Sequence, residues 1–121
     1  MNIENETKIK CEVFHSSEEF FWKAIRYYMN MTVSDLARAF RRGKYNLTGF
    51  VEVPICDTGN EWYALEYAFE KTQTKSKEWS CKKPGRSTSV GDILKIGDNY
   101  YVVAPVEFAP IPELAVSVSG K

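Results

Sequence analysis

The chain has 121 residues, 44% of them hydrophobic and 26% charged, with 16 basic side chains balancing 16 acidic ones. That length predicts one domain over 1–121 that buries about two thirds of its unfolded surface, and that composition argues against disorder. The charge balance excludes a whole-molecule attraction to nucleic acid or anionic lipid, and no apolar run approaches the ~18 residues that cross a bilayer.

Any contact with nucleic acid therefore needs a local patch, and no membrane partner is expected. Cys11, Cys56 and Cys81 are far apart with no C-x-x-C pair, which fits reduced thiols in a cytoplasmic protein better than a disulfide framework. The first residues, Met1 to Glu6, lack the basic segment and apolar core of a signal peptide, so a cytoplasmic location is the expectation.

Residues 8 to 14 alternate, with Ile9, Cys11 and Val13 opposite Lys8, Lys10 and Glu12, which is the period of a half-buried strand. Ser16 or Ser17 offers an N-cap, Glu18 and Glu19 suit a first turn, and a helix is expected to about Asn30. Its core stripe reads Phe20, Phe21, Ala24, Ile25 and Tyr28. Trp22, Tyr27 and Met29 fall partly outside it, so this helix is either covered on more than one side or presents aromatic surface to a partner.

Thr32-Val33-Ser34-Asp35 has the form of a capping box with Asp in place of Glu, and Gly43 suits the position just past the end of the helix it opens. Val33, Leu36, Ala37 and Phe40 make the buried stripe. Arg38, Arg41 and Arg42 share an adjacent face, and Lys44 follows the stop, giving the densest positive patch in the chain. Residues 32 to 40 read like the first helix of a helix-turn-helix, but residues 45 to 53 alternate as a strand where a recognition helix belongs. Tyr45, Leu47, Gly49, Val51 and Val53 form one face of that strand.

Asp57-Thr58-Gly59-Asn60 reads as a loop, and a short helix follows from Glu61 to about Lys71. Residues 72 to 86 are polar and basic with Trp79 in the middle, and read as a loop. Ile93 to Ile96 and Tyr100 to Val103 are strand-forming runs around Gly97-Asp98-Asn99, the signature of a tight hairpin. Val106 to Phe108 suits a further strand, with prolines ending pairing around it. Leu114, Val116 and Val118 alternate as an edge strand would, with a loose tail from about 113 as the alternative.

No catalytic set stands out. His15 is the single histidine and lies near a core-facing Cys11, which suits a structural role better than Cys-His chemistry. Three scattered cysteines give no zinc pair, and no cofactor or metal is expected. Glu52, Asp57, Glu61 and Asp92 are the carboxylates that convergence in space would turn into an acid-base pair. Asp57 and Asp92 also read simply as turn residues that accept backbone hydrogen bonds.

Pro84 to Gly91 matches neither the P-loop nor the dinucleotide fingerprint. Even so, Arg86 beside Ser87 and Ser89 offers charge-assisted bonds to an anion, the alternative being a loop that caps the hairpin. Two basic groups suit a nucleic-acid strand: Arg38, Arg41, Arg42 and Lys44, and then Lys82, Lys83 and Arg86 with Trp79 for stacking. A solvated charged face is the plainer reading of both.

Glu66-Tyr67-Ala68-Phe69-Glu70-Lys71-Thr72-Gln73, then Trp79, then Arg86-Ser87-Thr88-Ser89-Val90-Gly91-Asp92-Ile93 and Tyr101-Val102-Val103 resemble a pattern in small proteins of phages and plasmids of the YodL-like kind. The resemblance covers the last half of the chain. It implies a phage or mobile-element origin and carries no activity onto these positions.

The expected fold is α+β, an antiparallel sheet of about four or five strands with two or three helices packed on one face. The expected function is non-enzymatic binding of a host or phage protein. Nucleic-acid binding through the basic patches is the alternative, and a small carboxylate-based enzyme the third reading.

Overall fold

Strand β1 (Thr7–Ser16) runs at the middle of one antiparallel sheet, and its neighbours explain most of the architecture. The structure is a computed structural model that describes residues 7–55, 61–73, 79–81 and 86–114. After β1 come three helices, α1 (Phe21–Ala24), α2 (Tyr27–Asn30) and α3 (Val33–Arg41), then β2 (Tyr45–Ile55), α4 (Glu61–Lys71) and β3 (Trp79–Cys81). The expected hairpin follows as β4 (Ile93–Ile96) and β5 (Asn99–Val103), and β6 (Phe108–Pro110) closes the order β3-β2-β1-β4-β5-β6. Every strand pairing is antiparallel, so the α+β class stands. No described helix is long and apolar enough to cross a membrane.

Several elements follow the sequence closely. Thr32 and Asp35 form the reciprocal capping box, with Thr32 Oγ1 accepting the Asp35 N–H at 3.1 Å and Asp35 Oδ2 accepting the Thr32 N–H at 2.9 Å. Gly43 ends that helix at φ +81°. Gly97, at φ +59°, starts the two-residue turn that sets Ile96 opposite Asn99. Helix α4 buries Ala64, Leu65 and Ala68 against β2 and β1, the two alanines being small enough for close approach.

Five features differ from expectation. Helices cover both faces of the sheet rather than one. Ile93 and Leu94 are adjacent, so a strand points them to opposite faces, and both are fully buried. Ile93 packs with Ala24, Leu36 and Ala37 of α1 and α3, while Leu94 packs with Ala64, Leu65 and Ala68 of α4. Val102 and Val103 repeat the division on β5. Burying each such side chain contributes about 1.5–3 kcal/mol.

Second, β2 carries a bulge. Val13 pairs with Gly49 but Phe14 pairs with Leu47, leaving Thr48 over. The slip turns Leu47 outward, 50% exposed, and sends Tyr45 to the α1–α3 side, where its ring lies 5.8 Å from those of Phe20 and Phe40.

Third, the helix expected over 17 to 30 is two single turns. The Ala24 carbonyl abuts Gly91, and Arg26 Nε donates to the Trp22 carbonyl at 3.4 Å, so the side chain takes an acceptor that the helix would otherwise give to a backbone N–H. Phe20 and Ala24 are buried as the stripe requires, but beyond the break Tyr27 is buried and Tyr28 exposed, the reverse of the expected pair. Fourth, β3 pairs with β2 inside the stretch read as a loop. The last strand is 108–110 rather than 106–108, because Val106 is exposed and Pro110 ends an edge strand, where a missing N–H costs nothing. Leu114 is buried, and the rest of the expected tail lies outside the described residues.

Gly91 is the tightest contact between the hairpin and the helices. Its φ of +94° is left-handed, and an added Cβ would come 2.2 Å from the Ala24 carbonyl oxygen. Gly91→Ala is expected to lower unfolding free energy in urea by about 3 kcal/mol or more. Gly97→Ala has a positive φ but open space around it, and is expected to cost only about 1 kcal/mol.

Candidate functional site

The stretch Arg86 to Ile93 lies where β1 ends, α1 begins and α4 stops. Its centre is the Asp92 carboxylate, fully buried. Four donors converge on it: the Ser16 N–H at 2.9 Å, the Ser89 N–H at 2.7 Å, and Arg86 Nη1 and Nη2 at 2.6 and 2.8 Å. A buried carboxylate demands such partners, and the bidentate Arg pair is the strongest of them. Arg86 Nη2 also donates to the Ser16 carbonyl and hydroxyl, at 3.2 and 3.1 Å, and Nη1 donates to the Ser87 carbonyl at 3.0 Å. The guanidinium carbon sits 4.6 Å from the Phe21 ring centroid, a cation–π contact that ties α1 to the same group.

The remaining residues of the stretch are fastened as well. The Ser87 hydroxyl donates to the Gln73 carbonyl, and Gln73 Nε2 donates to the carbonyls of Phe69 and Thr88 at 3.0 Å each, which joins the loop to the end of α4. Thr88 Oγ1 lies 3.1 Å from His15 Nε2. The Tyr45 hydroxyl donates to the Gly91 carbonyl at 2.7 Å, and the Gly91 N–H to Val103 at 2.8 Å. Ser89 contributes its N–H to Asp92, and its hydroxyl lies 3.5 Å from the Ser87 carbonyl.

Such a cluster of His, Asp, Thr and Ser invites comparison with a hydrolase triad. In a triad the base takes the nucleophile's proton on one nitrogen and is held by the carboxylate through the other. Here a single nitrogen, Nε2, faces both Thr88 and Asp92, the latter at 3.9 Å. Burial holds the His15 imidazole below its ordinary pKa, Asp92 opposes that, and the Arg86 charge adds to it. The geometry is that of a structural lock.

The other sequence candidates separate. Arg41 Nη2 donates to the Glu113 carbonyl at 2.8 Å, and Ser34 donates to the Glu113 carboxylate. Arg38, Arg42 and Lys44 instead line one cleft of about 320 Å³, joined there by Lys23 from α1. Trp79 belongs to β3 by its backbone; its side chain, with Lys82 and Lys83, lies outside the described residues.

Of the carboxylates, Glu61 accepts from Asn99 Nδ2 at 3.2 Å and from the Tyr101 hydroxyl, whose pKa is pushed up to about 12 by burial and then by Glu61. Asp92 serves a different set of partners, Glu52 is exposed, and Asp57 lies outside the described residues. Cys11 is buried with its thiol pushed up to about 12, which makes it a core residue rather than a nucleophile. Among the described residues no three of His, Cys, Asp and Glu gather as metal ligands.

Sequence reading missed the Arg86–Asp92 pair and the joining of Lys23 to the arginines of α3. A signal for the first was present: an acid inside the apolar run Val90 to Leu94 is buried, and a buried acid needs a cation. Nothing in the periodicity brings Lys23 to α3. No family model matches the chain, and no curated protein or solved structure matches it either, so the site is read from its geometry alone.

Arg86→Ala is expected to fold but to lose about 3 kcal/mol in urea denaturation, because Asp92 keeps its burial and loses its counter-charge. Stability should also depend on His15. Its folded pKa lies below the unfolded 6.5, so the unfolded chain binds the extra proton. That contribution is complete above about pH 6.5 and falls as pH drops below it, by at most about 1.4 kcal/mol per unit. Urea midpoints between pH 7.5 and 5 should fall in the parent and fall less in His15→Gln.

Proposed function

We propose that this chain acts by binding another protein through the helical surface of α1 and α2. The observation that carries the reading is the exposure of Trp22 (66%), Met29 (65%) and Tyr28 (53%) on two adjacent single-turn helices. Large apolar side chains gathered on a surface mark interaction sites, and Trp, Tyr and Met are favoured there. The break at Ile25 and Arg26 gives these side chains their outward direction, and the Arg86 guanidinium under Phe21 supports the turn that presents Trp22.

The partner is a host or phage protein and the chain an accessory protein of a phage or mobile element working in the cytoplasm. The support for that origin is the YodL-like pattern of the C-terminal half. Nucleic-acid binding through the basic patches is less well supported, because Arg86 and Arg41 are engaged within the fold and Arg38 pairs with Asp35 at 3.0 Å.

A crosslinked pull-down from bacterial lysate, with the parent and a Trp22→Ser/Met29→Ser variant, tests the reading. The parent should enrich a discrete protein that the variant loses at unchanged melting temperature. Equal recovery by both would overturn it. A mobility shift with DNA or RNA that weakens steeply with salt would put nucleic-acid binding in its place.

A further inference from the structure

The cleft between α1 and α3 has a composition that neither the lock at Asp92 nor the exposed aromatics explain. Lys23 enters from α1, Arg38 stands on α3 with Arg42 one turn later at its C-cap, and Lys44 follows the Gly43 stop, while Phe20, Met31 and Ala39 supply apolar wall. Two carboxylates, Glu19 and Asp35, complete the lining.

The charges do not cancel. Asp35 is fully engaged, one oxygen by the Thr32 N–H and the other by Arg38 Nη1 at 3.0 Å. Lys44 reaches Glu19 at 4.0 Å, with the Glu19 side chain 82% exposed, a pairing weak enough for a bound anion to displace. Lys23 and Arg42 form no ion pair with any described residue. Two cations with no ion pair among the described residues, lining one concavity, suit an occupant of about two negative charges.

We infer that this cleft binds a phosphomonoester carrying a small apolar body. A phosphomonoester places about −1.5 to −2 charges on one head group, where a carboxylate brings one and a nucleic-acid backbone spreads single charges along a track. The guanidinium of Arg42 suits bidentate contact with phosphoryl oxygens, and the ammonium groups of Lys23 and Lys44 add point charges. Phe20, Met31 and Ala39 then cover the apolar body. The volume of about 320 Å³ suits a small molecule or a single modified side chain.

Titration with phenyl phosphate, followed by amide NMR shifts, tests the site. Saturable shifts at residues 19–23 and 38–44 are expected with a Kd of about 1 mM or tighter. Inorganic phosphate should bind more weakly, because it leaves the apolar wall uncovered, and benzyl alcohol should not bind. Lys23→Ala/Arg42→Ala replaces exposed side chains, should keep the parent melting temperature, and should weaken phenyl phosphate by roughly tenfold or more. A phosphotyrosyl peptide that binds more tightly than phenyl phosphate would assign a phosphorylated side chain as the natural source; equal affinity would assign a free small molecule. Absent saturation, shifts confined to other residues, or unchanged affinity in the double variant would overturn the inference.

Discussion

A carboxylate without access to water has to be satisfied by the protein, and Asp92 is satisfied by groups from two distant parts of the chain. Ser16 belongs to the end of β1, while Ser89 and Arg86 belong to the loop that leads into β4. Folding the hairpin alone cannot complete this shell, and neither can folding β1 and β2. The carboxylate therefore makes docking of the hairpin conditional on the end of β1 being in place, with the Phe21 ring over Arg86 extending the condition to α1.

The sheet depends on the same junction. Because both faces are covered, β4 and β5 have to supply apolar residues at successive positions, and Ile93-Leu94 and Val102-Val103 do so. The register that delivers Ile93 to α1 and α3 begins at Asp92, and Gly91 is what lets the backbone come against Ala24. The seven-residue stretch from Arg86 to Asp92 is thereby accounted for as a lock between the two faces, which leaves recognition to surfaces elsewhere. The exposed aromatics of α1 and α2 and the cationic cleft beside α3 are the surfaces we propose for it, and both are built from helices that the lock adjoins.

What was legible in the sequence was local. The capping box at Thr32 and Asp35, the Gly97 turn and the helix Glu61–Lys71 each involve residues a few positions apart, where spacing and chemistry are read directly. What was not legible came from distant contacts. Thr48 carries no mark of a bulge, since the slip follows from fitting Tyr45 among Phe20 and Phe40. The break at Ile25 and Arg26 answers to the approach of Gly91, far along the chain. Helices on both faces were hidden because a hairpin with every second residue buried and one with nearly every residue buried share the same β-forming composition. Among the site residues, Arg86 and Ser87 were singled out for their chemistry, and the structure shows that chemistry directed inward.

Arg86 and Asp92 stabilise the fold as a pair. A double-mutant cycle with Arg86→Met, Asp92→Asn and the combination, measured by urea denaturation, reads that coupling directly. A coupling energy of about 2 kcal/mol or more is expected, with the double variant less destabilised than the sum of the two single changes. Additivity to within about 0.5 kcal/mol would contradict it.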